Sequence, residues 1–191
     1  KKTQKAVNEN KFEKELIKFH ININNKKVLF DKDEHPRTNL KLEDLKKLKT
    51  VFKENGTVTA GNSSGINDGA AATILMSRKE AELRSIKPLA KIVSWATCGV
   101  DPSLMGLGPI PAVKMALNKA GWNTKDIDLF EINEAFAAQS IAVINELKIP
   151  NEIVNVNGGA IALGHPIGAS GARILVTLLH ELKRQNKNKG C

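Results

Sequence analysis

From Pro88 onward the chain alternates short β-branched runs with amphipathic stretches, and this alternation limits its fold more than any other feature. Pro88–Ser94, Ile127–Ile132 and Ile153–Asn157 read as strands, each too short for a helix and rich in Ile or Val. Between and after them, Pro109–Ala120, Glu134–Leu147 and Ser170–Lys183 read as helices. The first has Pro at its opening turn and is closed by Gly121. The last carries Ile174, Leu175, Leu178, Leu179 and Leu182 on one side. The order β-α-β-α-β-α predicts an α/β fold with a mixed or parallel sheet covered by helices. A β-α unit normally feeds another strand, and the sequence ends soon after its last helix, so the sheet is expected to lack its last strands. The chain also opens on Lys1 rather than Met, and both features suggest a piece of a longer protein.

Upstream of Pro88 the reading is looser. Gln4–Glu9 is expected to be helical, Glu15–Ile23 a strand, and Lys41–Leu48 a helix with Leu42, Leu45 and Leu48 at three-residue steps. Asn67 or Asp68 is placed to cap a helix over Gly69–Met76. Residues 1–55 hold the Lys runs that contribute to a net charge of +9. Such a charge suits a polyanionic partner. The aromatics there are Phe12, Phe19, Phe30 and Phe52, with no helix-turn-helix or RNP pattern around them, so the lysines read as a hydrated surface and no nucleic acid is expected. No run reaches the ~18 apolar residues of a membrane span, and no secretory signal is visible. Two cysteines, Cys98 and Cys191, make neither a disulfide framework nor a zinc site, and a reducing, cytoplasmic setting is expected.

Three stretches can carry chemistry. In Asn155–Arg173, five glycines bracket one histidine, His165, followed by Pro166. Glycine lets backbone approach a ligand closely, and Pro166 stiffens the turn. The loop runs into a helix expected to start at Ser170, whose free N–H groups favour anions, so His165 suits a general base or an oxyanion donor. The stretch is not a P-loop, since no Gly-Lys-Ser/Thr follows. In Glu131–Phe136 a strand gives way to a helix. Asn133 either caps that helix or points out of the sheet's C-terminal edge, where open α/β sheets place their sites. Both residues follow strands of one sheet, so their side chains can converge. The third stretch, Thr59–Gly69, is rich in small hydrogen-bonding residues; it suits an amide-containing ligand, or is simply a turn.

Taken together, Asp33-Glu-His-Pro-Arg37, Met105-Gly-Leu-Gly-Pro-Ile-Pro111, Asn133-Glu-Ala-Phe136 and Gly158-Gly-Ala-Ile-Ala-Leu-Gly-His-Pro166 resemble the thiolase family, specifically its biosynthetic acetoacetyl-CoA branch. Related carrier-protein condensing enzymes share that fold without the Asn-Glu-Ala-Phe and Gly-His-Pro combination. The resemblance implies a thiolase-like layered αβα fold, here its C-terminal half. Residues 1–66 would belong to the loop and coenzyme A-binding subdomain. Residues 67–87 would end the N-terminal domain, and 88–191 would form a truncated C-terminal domain. His165 would match the histidine that activates a nucleophilic cysteine and helps bind the thioester oxyanion. Asn133 would match the asparagine whose bound water completes that oxyanion hole. Phe136 and Met105 resemble acyl-pocket walls, Ser64 and Ala60 pantetheine contacts, and Arg37, Leu48 and Phe52 positions along the coenzyme A path. Arginine is a natural partner for phosphate.

The implied reaction joins two acetyl-CoA molecules into acetoacetyl-CoA, or reverses that step, with coenzyme A as product and no metal or redox cofactor. The parent enzyme is expected to be a homo-oligomer away from membranes. The family uses two reactive cysteines, and neither Cys98 nor Cys191 resembles them, so this chain alone is expected to be inactive. The alternative is a non-catalytic remnant or folding unit of a split or decayed thiolase gene. His20, His35 and His180 match no family role.

Overall fold

The computed structural model describes residues 1–37 and 39–191. In chain order the helices are α1 (Lys2–Asn8), α2 (Leu42–Lys46), α3 (Arg78–Leu83), α4 (Pro109–Ala120), α5 (Ala137–Leu147), α6 (Ala160–Leu163) and α7 (Ile167–Arg184). Strands β1 (Phe19–Ile23) and β2 (Lys26–Phe30) form an antiparallel hairpin.

The centre of the fold is a parallel layer of three short segments. Phe130 bridges Val154 on one side, and Leu129 bridges Gly190 on the other, both in parallel. Phe130 N–H donates to the Ile153 carbonyl and Cys191 N–H to that of Leu129, at 2.9 and 3.0 Å. The middle segment alternates its side chains as a strand must. Phe130 and Ile132 face Leu117 of α4 and Val143 and Leu147 of α5. Leu129 faces Leu178 and Leu182 of α7. Helices thus cover both faces of the parallel layer, which is why Ile127, Leu129, Phe130 and Ile132 of this central segment are all apolar. Burying each of these side chains contributes about 1.5–3 kcal/mol.

The last residues change one expectation. The helix ending at Arg184 does feed a further segment, since residues 189–191 pair beside 128–131. The layer therefore continues one step past α7. The helix over Pro109–Ala120 forms as expected, closed by Gly121 in the left-handed region at φ 69°. The other two start at different residues from those expected. The stretch from Glu134 becomes helical only at Ala137, with Phe136 as its N-cap, so Asn133 caps nothing. Helix α7 starts at Ile167, before Ser170, because Pro166 pre-sets the turn and its carbonyl accepts from Ala169 and Ser170 N–H, both at 2.8 Å.

Upstream, α1 packs on the layer through buried Thr3 and Ala6, and Lys2 Nζ donates to the Val154 carbonyl at 2.8 Å. The strand expected from Glu15 is shorter, starting at Phe19, and its partner β2 was not anticipated. Asn24 and Asn25, at φ 49° and 60°, make the tight turn between them, the conformation that two-residue hairpins favour. No helix forms over Gly69–Met76. Asn67 turns its amide to His35 Nδ1 at 3.0 Å instead of capping, and the helix starts later, where Ser77 Oγ accepts from Glu80 N–H. The expected strand at Pro88–Ser94 pairs with no other segment among the described residues.

Candidate functional site

Asn155 builds the site. It sits at φ 44°, a left-handed conformation that asparagine tolerates. Its buried amide accepts from Ile132 N–H and donates to Ile132 C=O, both at 2.8 Å. One side chain thus takes the place of a sheet partner at the end of the 128–132 segment, where the backbone would otherwise be unpaired. This clamp ties the residue before Asn133 to the start of the glycine-rich loop. An added Cβ at Gly159 would run into the Glu134 carboxylate, so the two loops are in close contact beyond the clamp. At Gly164, φ is 89° and an added Cβ would collide with the Asn67 amide. Glycine is required there on both counts.

The result is that Asn133 and His165 meet. Asn133 Nδ2 lies 3.3 Å from His165 Nε2, and His165 Nδ1 lies 2.6 Å from Ser170 Oγ. Both Asn133 and His165 are half-buried, and the Asn133 Oδ1 atom is buried without a hydrogen-bond partner in the protein. His165 N–H also donates to the Gly65 carbonyl at 3.0 Å, which joins the Thr59–Gly69 stretch to the site. An open groove of about 380 Å³ lies between Asn67–Ala71 and Pro166–Ala169, its lining starting at the residue after His165.

The remaining sequence candidates divide into two groups. Ser64, Phe52 and Phe136 are brought close to Asn133. Ser64 N–H donates to the Ala135 carbonyl at 2.9 Å, and the Phe52 and Phe136 rings meet edge-on with centroids 5.8 Å apart. Arg37, Ala60 and Met105 are exposed, and among the described residues no hydrogen bond joins them to the Asn133–His165 pair. Leu48 lines a separate groove of about 340 Å³ with Leu45, Thr59 and Gly61. Cys191 packs against the core around Phe130, and burial raises its thiol pKa, the reverse of what activates a nucleophile. Among the described residues, no three His, Cys, Asp or Glu side chains are grouped to hold a metal ion.

Beneath the site lie buried charges. Glu131, on the α7 side of the layer, stands 3.9 Å from Arg173. Burial, helped by Glu15 and Glu134, pushes its carboxyl up to about 8 against the pull of Arg173. Asn157 Nδ2 donates to the buried carboxylate of Glu181 at 2.6 Å, and Arg184 and Gln185 share that carboxylate.

This layered α/β arrangement matches known proteins along the whole chain. Residues 86–191 match the model for the thiolase C-terminal domain, and residues 1–79 that for the thiolase N-terminal domain. The acetyl-CoA acetyltransferase of Rhizobium meliloti is 55% identical over 189 residues, covering 99% of this chain and 48% of that protein. The cytosolic acetyl-CoA acetyltransferase of Rattus norvegicus is 55% identical over 181 residues, covering 94% of this chain and 46% of its own length. The crystal structure of the Bacillus anthracis acetyl-CoA acetyltransferase superposes with a TM-score of 0.96 at 49% identity, over 99% of this chain and 48% of that one. The human mitochondrial 3-ketoacyl-CoA thiolase in complex with CoA superposes with a TM-score of 0.88 at 44% identity, over 97% and 46%. The chain belongs to the thiolase family, a family of acyltransferases, and has its fold in incomplete form. It spans about half the length of the curated relatives it matches.

Sequence reasoning missed Asn155, Asn67 and the buried Glu131–Arg173 pair. The signal for Asn155 is a polar residue between two valines, and its meaning depends on a partner 23 positions away. Ser170 was read only as a helix start.

Proposed function

We propose that this chain is the His- and Asn-bearing half of an acetyl-CoA acetyltransferase, which condenses two acetyl-CoA to acetoacetyl-CoA or cleaves it by thiolysis. The observation that carries this reading is the approach of Asn133 Nδ2 to His165 Nε2 at 3.3 Å. In the proposed reaction a cysteine outside these 191 residues attacks a thioester carbonyl and expels coenzyme A. His165 takes the thiol proton. After a second base removes the α-proton of the next acetyl-CoA, the carbanion attacks the acyl group and the cysteine leaves. Asn133, through a water, and His165 stabilise the negative oxygen that develops, the kind of interaction that strengthens on the way to the transition state.

Phe136 and Met105 are proposed to face the acyl group, Ser64 and Ala60 the pantetheine arm, and Arg37, Leu48 and Phe52 the rest of coenzyme A. The neighbourhood of Ser64, Phe52 and Phe136 supports that path, and a CoA complex of a 44%-identical thiolase supports the ligand. The same reading places the enzyme in the cytoplasm as a homo-oligomer, with residues 88–191 as its C-terminal domain, and assigns no metal or redox cofactor. No helix among the described residues is long and apolar enough to cross a membrane.

Acetoacetyl-CoA thiolysis tests the reading. The 191-residue chain alone should show no rate above its His165→Ala control. Joined to a half that supplies both cysteines it should turn over, and Asn133→Ala should then lower kcat by about 10²–10³ with little change in KM. Unchanged kcat with a raised KM would remove Asn133 from the oxyanion role.

A further inference from the structure

We infer that Ser170 is a positioning residue which holds the His165 imidazole in its Nδ1–H tautomer, leaving an Nε2 lone pair directed at the site. The inference rests on the reading of His165 as the reacting group. One short chain of contacts fixes where each hydrogen lies. Ser170 is buried, at 4% exposure, and its hydroxyl has one hydrogen. Oγ lies 3.0 Å from the Pro166 carbonyl and 2.6 Å from His165 Nδ1. The carbonyl can only accept, so the hydroxyl hydrogen goes there, and the Oγ lone pair is left to accept from Nδ1–H. On the far side of the ring, Asn133 Nδ2 is a donor 3.3 Å from Nε2, which is satisfied only if Nε2 is unprotonated. With this tautomer every contact pairs one donor with one acceptor. With the other, Nε2–H would face the Asn133 amide N–H, and the Ser170 hydroxyl would have to abandon Pro166.

The backbone explains why the serine is available. Helix α7 begins at Ile167, so Ser170 lies in its first turn, close enough to reach back to the histidine five residues earlier. Serines in helices commonly bond the carbonyl four residues back. Here that ordinary bond orients the hydroxyl so that its lone pair meets the imidazole. The outcome matters because one ring nitrogen must be free to take a proton, and the hydrogen bond made by the other decides which.

The test is long-range proton–nitrogen correlation NMR on the ¹⁵N-labelled 191-residue chain, with the His165 signals identified by their loss in His165→Ala. The expected spectrum of the neutral ring has a pyrrole-type Nδ1 and a pyridine-type Nε2. In Ser170→Ala the ring should move to the Nε2–H form or to a mixture. A wild-type ring in the Nε2–H form, or exchanging between both forms, would overturn the inference, as would Ser170→Ala that keeps Nδ1–H alone. The catalytic reading fails separately: if His165→Ala leaves thiolysis intact in an enzyme with both cysteines, His165 is not the reacting group, whatever tautomer Ser170 holds.

Discussion

Residues 127–191 and residues 66–100 are both studded with large apolar side chains, yet only the first region builds a core from them. Phe130 and Val143 are 1% and 0% exposed, whereas Ile66 and Ile74 are 93% and 87% exposed. The difference is not one of hydropathy. Phe130 has a paired segment on either side and helices α4 and α5 against its face, while the residues around Ile74 and Trp95 have no pairing segment among the described residues. An apolar residue becomes core only when another layer of the fold lies on it. The Asn133–His165 pair stands on the well-packed side of this divide, supported by Asn155 and α7.

Hydrogen exchange should show the largest contrast. Amides of Phe130, Val143 and Leu178 should be protected over those of 90–96 by on the order of 10³ or more, the scale of a global folding constant. Equal protection in the two regions would break the comparison. Substitution should separate them next. Asn155→Leu strands the N–H and C=O of Ile132 and should cost about 2–6 kcal/mol in urea unfolding, at about 1–3 kcal/mol per buried unpaired group. Ile74→Ser should stay within about 0.5 kcal/mol, as exposed positions do. A smaller effect than that of Asn155→Leu is in pH. Glu131 has its carboxyl raised from 4.5 to about 8, so the folded state holds a proton that the unfolded state gives up. Its stabilisation is complete below the unfolded value and is lost as pH rises through 8. Between pH 6 and 7 this should lower stability by roughly 1 kcal/mol, since one pKa unit corresponds to about 1.4 kcal/mol. Half-buried Glu15, its carboxyl also raised by desolvation, acts in the same direction. Glu131→Gln should flatten the slope, as read from Tm against pH.

The same divide governs what could be read in advance. Helix α4 was legible because Pro109 and Gly121 mark its ends locally. The convergence of Asn133 and His165 was legible because two strand ends of one sheet leave little choice. The region around Gly69–Met76 was not. An alanine run permits a helix, but Asn67 is taken by His35, and the decision lies with a residue 32 positions away. Helix α7 was placed three residues late because Pro166 carries no cap side chain to announce the start, and that delay hid the turn in which Ser170 meets His165. Asn155 and Glu131 depend on contacts across the layer, which no local pattern encodes.

The buried Asn157 bears on how the protein ages. An asparagine followed by glycine is the pair most prone to lose its side-chain amide, because the next backbone nitrogen attacks it and a cyclic imide forms. Here both reactants are restrained. The Gly158 nitrogen donates to the Asn155 carbonyl at 2.9 Å, and the Asn157 amide is held on Glu181 at 2.6 Å. Folding therefore shields a chemically labile bond at the start of the glycine-rich loop. A molecule that has once unfolded long enough to deamidate would return with a carboxylate opposite Glu181, two negative charges where the native fold accommodates one. An excursion of that length would leave a permanent mark at this position, a covalent record of lost structure beside Glu181.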